Sequence, residues 1–279
     1  TDAGDDAAIS IDSIGNLTVG LIDAAAGAVT LDSTGDIDSA ADDGTADVTG
    51  GVVSLIAAAG GIGQTAPLDV TASTTLSADT DAGDDAAISI DSIGNLTVAV
   101  IDAAAGAVTL DSTGDIDGGT DDATADVTGG LVSLVAAAGG IGQNTVLDVA
   151  AATSLSADTD AGDDAAISID SIGNLTVNLI AAGAGAVTLD STGDIDSAAD
   201  DGTADVTGGA VSLIAAAGGI GQTAILDVTA STSLSADTDA GDDAAISIDS
   251  IGNLTVGLID AAAGAVTLDS TGDIDSAAD

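Results

Sequence analysis

Lysine, arginine, histidine, cysteine, methionine, glutamate and every aromatic residue are missing from this chain, and proline occurs once, at Pro67. Each absence excludes something. Without cysteine there is neither a disulfide staple nor thiol chemistry, and the redox compartment is left open. Without His, Lys, Arg, Cys or Glu, most of the side chains that act as acids, bases and nucleophiles are gone. With no positive side chain, nucleic acid and anionic membrane surfaces are excluded as partners, because both need cations that displace counterions. No run approaches the roughly 18 apolar residues of a transmembrane helix. A core without aromatics must be thin and lined by Val, Ile, Leu and Ala.

What is present is repetition. The stretch TDAGDDAAISIDSIGNLTV opens at Thr1 and returns at Thr80, Thr159 and Thr238, always at the same interval. Such periodicity marks an array whose units lean on their neighbours. The units run 1–79, 80–158 and 159–237, with a partial copy at 238–279. The chain opens on a repeat boundary and stops inside a repeat, which reads as a window from a longer protein.

All of the formal charge of −47 comes from aspartate. It favours solubility and also self-repulsion, about 1 kcal/mol per close carboxylate pair in water and several times that near a protein surface. Salt, divalent cations or spacing must relieve it.

Within a repeat, short runs alternate with Gly- and Asp-rich turns. The runs include Ala8–Ile11, Leu17–Val19, Ala28–Leu31, Val52–Leu55, Leu68–Val70 and Thr75–Ser77. Their period of two gives strands with one buried and one wet face. Gly15-Asn16, Gly50-Gly51 and Gly60-Gly61 supply turns. The Ala-rich pieces are too short to be helices.

The expected fold is all-β: a parallel β-helix, a solenoid built from the 79-residue repeats. Ile9/Ile11, Val29/Leu31, Val53/Leu55, Leu68/Val70 and Ile88/Ile90 would stack in turn, the step from Val53 to Leu68 being the shortest. The mean step is about 20 residues, within the range of solenoid repeats. That gives about four coils per repeat, about fourteen in all, and a length of about 65–70 Å. The alternative is a string of tandem β-sandwich repeats, which calls for a fuller core and recognisable linkers. Substitutions between copies favour the solenoid. Leu21 becomes Val100 and Val52 becomes Leu131, while Ser39-Ala40-Ala41 becomes Gly118-Gly119-Thr120 in a turn.

The phrases GNLTVG, GAVTLDSTGDI, VVSLIAAAGGIGQTAPLDV and TLSAD are similar to those of giant secreted bacterial exoproteins, the filamentous-haemagglutinin-like adhesins. The resemblance covers the whole chain as a style of sequence. It implies a right-handed β-helical shaft, exported to the cell surface or beyond, serving adhesion, biofilm or sheath formation.

Aspartate clusters are the only candidate chemistry. Asp79, Asp81, Asp84 and Asp85 recur as Asp158, Asp160, Asp163 and Asp164, and again as Asp237, Asp239, Asp242 and Asp243. Carboxylates alternating beside a glycine resemble a calcium loop, since hard cations take several oxygens from one turn. The order departs from D-x-D-x-D-G, and the closing bidentate Glu is missing. A looser cluster holds Asp36, Asp38, Asp42, Asp43 and Asp47. The plain alternative is a solvated surface whose repulsion blocks sideways aggregation. Calcium is the one cofactor these clusters suggest.

Catalysis by paired carboxylates is known for glycosidases. Gripping an acidic sugar on so negative a surface is electrostatically untenable, so no enzyme is expected. Asn16-Leu17-Thr18 has the form of a glycosylation sequon but also of an Asn turn beside glycine. The functional expectation is a self-associating extracellular fibre or stalk. The alternative is a calcium-stiffened spacer in a giant adhesin whose binding domain lies elsewhere.

Overall fold

The computed structural model describes residues 6–81, 83, 85–160, 164–239 and 244–277. Among them are 23 strands and no helix. The first nine are β1 (Ile9–Ser13), β2 (Leu17–Val19), β3 (Ile22–Asp23), β4 (Val29–Ser33), β5 (Ile37–Ser39), β6 (Val48–Ala57), β7 (Leu68–Thr80), β8 (Ile88–Ser92) and β9 (Leu96–Asp102). In the later copies the counterparts of β2 and β3 run on as one strand, as in β9, and the order otherwise recurs to Ser276.

Every strand pairing is parallel and joins segments about one coil apart in sequence. Ile9 stands beside Val29, Val29 beside Val53, Val53 beside Leu76, and Leu76 beside Val98. This is a right-handed parallel β-solenoid of about 12 turns. Sandwiches of the immunoglobulin type are built from antiparallel sheets, so the tandem-sandwich alternative is excluded.

Alternation makes the inside. In β4 and β8 the residues at i and i+2 are buried aliphatics, and the Ser, Thr or Asp between them point out. One inward column runs Leu17, Ile37, Ile62, Ile88, Val108, Val132, Leu155 and Val177 without a polar break. Leu31, Leu55, Leu76, Ile90 and Leu110 are fully buried. Each such side chain contributes about 1.5–3 kcal/mol of transfer free energy.

Two expectations about spacing are corrected. Leu68/Val70 does not stack on Val53/Leu55. Val70 pairs with Val48 and Leu68 with Ile90, and Leu76 takes the place above Val53. The short coil from Val53 to Leu68 does not exist. The reason lies in β6 and β7, which are 10 and 13 residues long and turn a corner within one strand. Their register shifts between Gly50 and Val52. Glycine is required there, because a Cβ on Gly51 would collide with the Ala26 carbonyl oxygen.

The second correction is the number of coils per repeat. Leu17 to Ile37, Ile37 to Ile62 and Ile62 to Ile88 are three successive steps up one column. Ile88 is the repeat counterpart of Ile9, yet it continues the column that Leu17 began, part of a coil further on. The remainder between Ile9 and Leu17 is a little under half of the coil that carries Ile9 to Val29. Each repeat therefore spans about 3.4 coils, not four. Equivalent residues of successive repeats consequently do not lie over one another.

Candidate functional site

Asp79, Asp158 and Asp237 sit on outward pleats at the ends of the 13-residue strands. Asp102 stands beside Asp79 and Asp260 beside Asp237, but Ala181 stands beside Asp158. Burial, then the neighbouring carboxylates Asp102 and Asp81, raise the pKa of Asp79. Asp81, Asp160 and Asp239 follow and are exposed.

Asp85 and Asp164 have a different task. Both take positive φ, 47° and 48°, and their Oδ1 atoms accept hydrogen bonds from the backbone N–H groups of Ala105 (3.2 Å) and Ala184 (2.8 Å) on the following coil. These carboxylates cap backbone. Asp84, Asp163, Asp242 and Asp243 lie outside the described residues. Among the described residues, no three acidic side chains are gathered into a metal-binding group.

The looser cluster divides in two. Asp36 accepts from Gly61 N–H at 3.0 Å and from Asn16 Nδ2 at 2.5 Å, which locks three stacked turns together. Asn95–Asp115–Gly140 and Asn174–Asp194–Gly219 repeat this arrangement. The amide of the apparent sequon is thus a turn brace. Asp38 accepts from Thr65 N–H at 3.0 Å. Asp42, Asp43 and Asp47 belong elsewhere.

The parallel register assembles them into a feature not read from the sequence. Asp69, Asp91 and Asp111 occupy matched positions on three successive coils. Asp47 extends the row, since its N–H donates to the Asp69 carbonyl at 2.8 Å and its Oδ2 accepts from Asp69 N–H at 3.2 Å. The same four-rung ladder recurs as Asp126–Asp148–Asp170–Asp190 and as Asp205–Asp227–Asp249–Asp269. Val135 and Ile214 stand on the coils after Asp111 and Asp190, ending the first two ladders.

Over each ladder folds the loop between β5 and β6 or its counterpart. It brings Asp42 and Asp43, Asp121 and Asp122, or Asp200 and Asp201 close enough to act on the ladder carboxylates. Beneath it, Asp69, Asp148 and Asp227 are only 2%, 1% and 3% exposed, and the Oδ2 of each accepts no hydrogen bond. The ladder Asp227, Asp249 and Asp269 lines an open cleft with Gly202.

Several ladder carboxylates shift in the same direction. Burial first, then Asp111, Asp69 and Asp42, push Asp91 up to about 6. Burial, then Asp190, Asp148 and Asp121, push Asp170 up to about 6. Asp126 also rises to about 6, chiefly through burial, against the hydrogen bond it accepts from Asp148. Asp69, Asp148, Asp227 and Asp249 shift the same way for the same leading cause. In contrast, Asp122 on the covering loop is lowered by hydrogen bonds from Thr120 and Thr124. With no Lys, Arg or His in the chain, only a proton or an external cation can neutralise a ladder.

A misplaced register hid this feature. Laying Leu68/Val70 over Ile88/Ile90 puts Asp69 beside Ser89, whereas the true pairing of Leu68 with Ile90 puts it beside Asp91. No family model, curated protein or solved structure matches the chain.

Proposed function

We propose that this chain is a rigid, non-enzymatic shaft, an extracellular or cell-surface fibre or stalk segment of the kind its filamentous-haemagglutinin-like phrasing suggests. The observation that carries the reading is continuity. Among the described residues, parallel pairing links every coil to the next from Ile9 to Ser276. A solenoid of this kind transmits length and stiffness, and its side chains offer little with which to act on a substrate. The missing Lys, Arg and aromatic residues also deny trypsin-like and chymotrypsin-like proteases their cleavage sites, which suits life outside a cell.

Self-association is part of the proposal. Leu21, Val100, Leu179 and Leu258 occupy one repeat position and are 71%, 48%, 37% and 57% exposed. These outward aliphatics wind around the shaft, one per repeat, and offer contact points to other copies on more than one side. Sedimentation velocity across a concentration series, in physiological salt with and without calcium, tests this. Concentration-dependent growth into lateral assemblies is expected, and a monomer at every concentration would remove the fibre version and leave the stalk.

A further inference from the structure

We infer that Asp43 and Asp201 are self-modification sites. Each condenses with the backbone nitrogen of the glycine after it, Gly44 or Gly202, to a succinimide that reopens as isoaspartate. Both lie on the loops that cover the ladders, and the inference is independent of the shaft function.

Three observations meet here. The first is a base already seated on the nucleophile. The N–H of Gly44 donates to the Asp69 carboxylate, and the N–H of Gly202 donates to the Asp227 carboxylate. A peptide nitrogen attacks poorly because its proton has nowhere to go, and here a buried carboxylate stands ready to take it. Burial is also the leading cause that raises the pKa of Asp69 and Asp227, which makes each a stronger proton acceptor than a solvated aspartate.

The second is the electrophile. Asp43 Oδ1 accepts from Thr45 N–H at 3.0 Å, and Asp201 Oδ1 accepts from Thr203 N–H at 2.9 Å. These bonds fold the carboxyl back along the chain that follows it and give Oδ1 a donor for the charge that develops on attack. Asp43 reacts as the carboxylic acid. Its Cγ bonds to Gly44 N, the amide proton passes to Asp69, and the Cγ–OH bond breaks as hydroxyl and proton leave together as water. Water then opens the ring at the main-chain carbonyl. The bond that breaks is the original peptide bond, and Gly44 stays joined through the Asp43 side chain.

The third is a contrast within the chain. At Gly44 and Gly202 the place of a Cβ is open space, whereas the second repeat has Ala123, whose Cβ crowds the nitrogen. Hydrogen bonds from Thr120 and Thr124 also lower the pKa of Asp122, which favours the charged form that carries no leaving hydroxyl. Asp117-Gly118 has the same pair of residues in another setting. Asp117 is 7% exposed, and its carboxylate accepts from Asn144 N–H at 2.9 Å and Nδ2 at 2.7 Å. The Gly118 N–H donates to the Thr145 carbonyl, which is no base.

Ageing the full chain at neutral pH tests this, read by peptic digestion and electron-transfer fragmentation, which tells isoaspartate from aspartate. Isoaspartate is expected to accumulate at 43 and 201 and to stay absent at 117 and 122. In denaturant the setting is lost, so 43, 117 and 201 should convert alike, with 43 and 201 slower than in the folded chain. Asp69→Asn keeps an acceptor for the Gly44 N–H but removes the base. It should slow conversion at 43 by roughly tenfold and leave 201 unchanged. Far-UV circular dichroism checks that the variant retains its β structure. If it does not fold, the ratio of folded to denatured rates at 43 in the wild type decides. Absence of isoaspartate at 43 and 201, equal conversion at all four aspartates, or faster conversion in denaturant overturns the inference. An unchanged rate at 43 in Asp69→Asn overturns the assignment of the base.

Discussion

At the scale of single residues, Asp91, Asp126 and Asp170 carry folded-state pKa values of about 6, above the 3.8 of a free aspartate. The folded chain therefore binds protons more tightly than the unfolded chain. The stability this contributes is complete below about 3.8 and is lost as pH rises through about 6. In chelator, the thermal midpoint should fall between pH 5 and pH 7.5, the reverse of ordinary acid denaturation. A midpoint that rises over that interval contradicts the ladder electrostatics. By the same sign, Asp170→Asn should raise the midpoint at pH 7.5 and leave it nearly unchanged at pH 4. Glycines give a steric counterpart. Gly51→Ala drives a Cβ into a carbonyl oxygen, whereas Gly20→Ala meets only Ala40 Cβ at 3.9 Å. The first should destabilise by more than about 1 kcal/mol and the second by less than about 0.5 kcal/mol, as chemical denaturation would report.

At the scale of elements, each strand depends on the two it lies between. Leu134 is fully buried and pairs with Leu110 on one side and Ala157 on the other. Leu134→Ala should cost about 2–5 kcal/mol, the range for a core cavity. Asp115 ties Asn95 on one side to Gly140 on the other, at 2.7 and 3.0 Å. Asp115→Ala should cost about 1–3 kcal/mol through unsatisfied turn groups, and should speed hydrogen exchange at Gly140 first. A uniform rise in exchange along the chain would show instead that the turns do not act locally.

These elements also show what was legible in advance. Alternation identified Ile88-Ser89-Ile90 and Val108-Thr109-Leu110 as strands, because an aliphatic at every second position has one plausible use. The steps Ile9 to Val29 and Val29 to Val53 were legible for the same reason. What pattern could not reveal was the bend inside β6 and β7. A strand that turns a corner reads in sequence like two strands on separate coils, so Leu68 was misplaced by a side. The candidate site suffered most, since ladders exist only in the register. Asp85 and Asp164 stood out as alternating acids, yet their carboxylates cap backbone. Asp69 and Asp91, a full coil apart along the chain, had nothing local to join them.

At the scale of the whole molecule, about 12 turns at the strand spacing give a shaft roughly 58 Å long. A repeat of about 3.4 coils carries each ladder to a new angular position, since Ile88 falls over Ile62 and not in the column of Ile9. The charge of −47 is thereby spread around the shaft, and no single stripe accumulates all of it. A repeat of a whole number of coils would have aligned every ladder on one side. That offset, with the aliphatic breaks at Val135 and Ile214, explains how so acidic a chain can stay folded.

The stacked register itself is open to direct measurement, helped by the absence of native cysteine. Thr18 and Ser133 lie on one outward column five coils apart, though they belong to different repeats. Spin labels on Thr18→Cys and Ser133→Cys should give a narrow distance distribution, with backbones about 24 Å apart along the axis. A broad distribution at much longer separations, as repeats folded into separate hinged units would give, contradicts the solenoid and everything built on it.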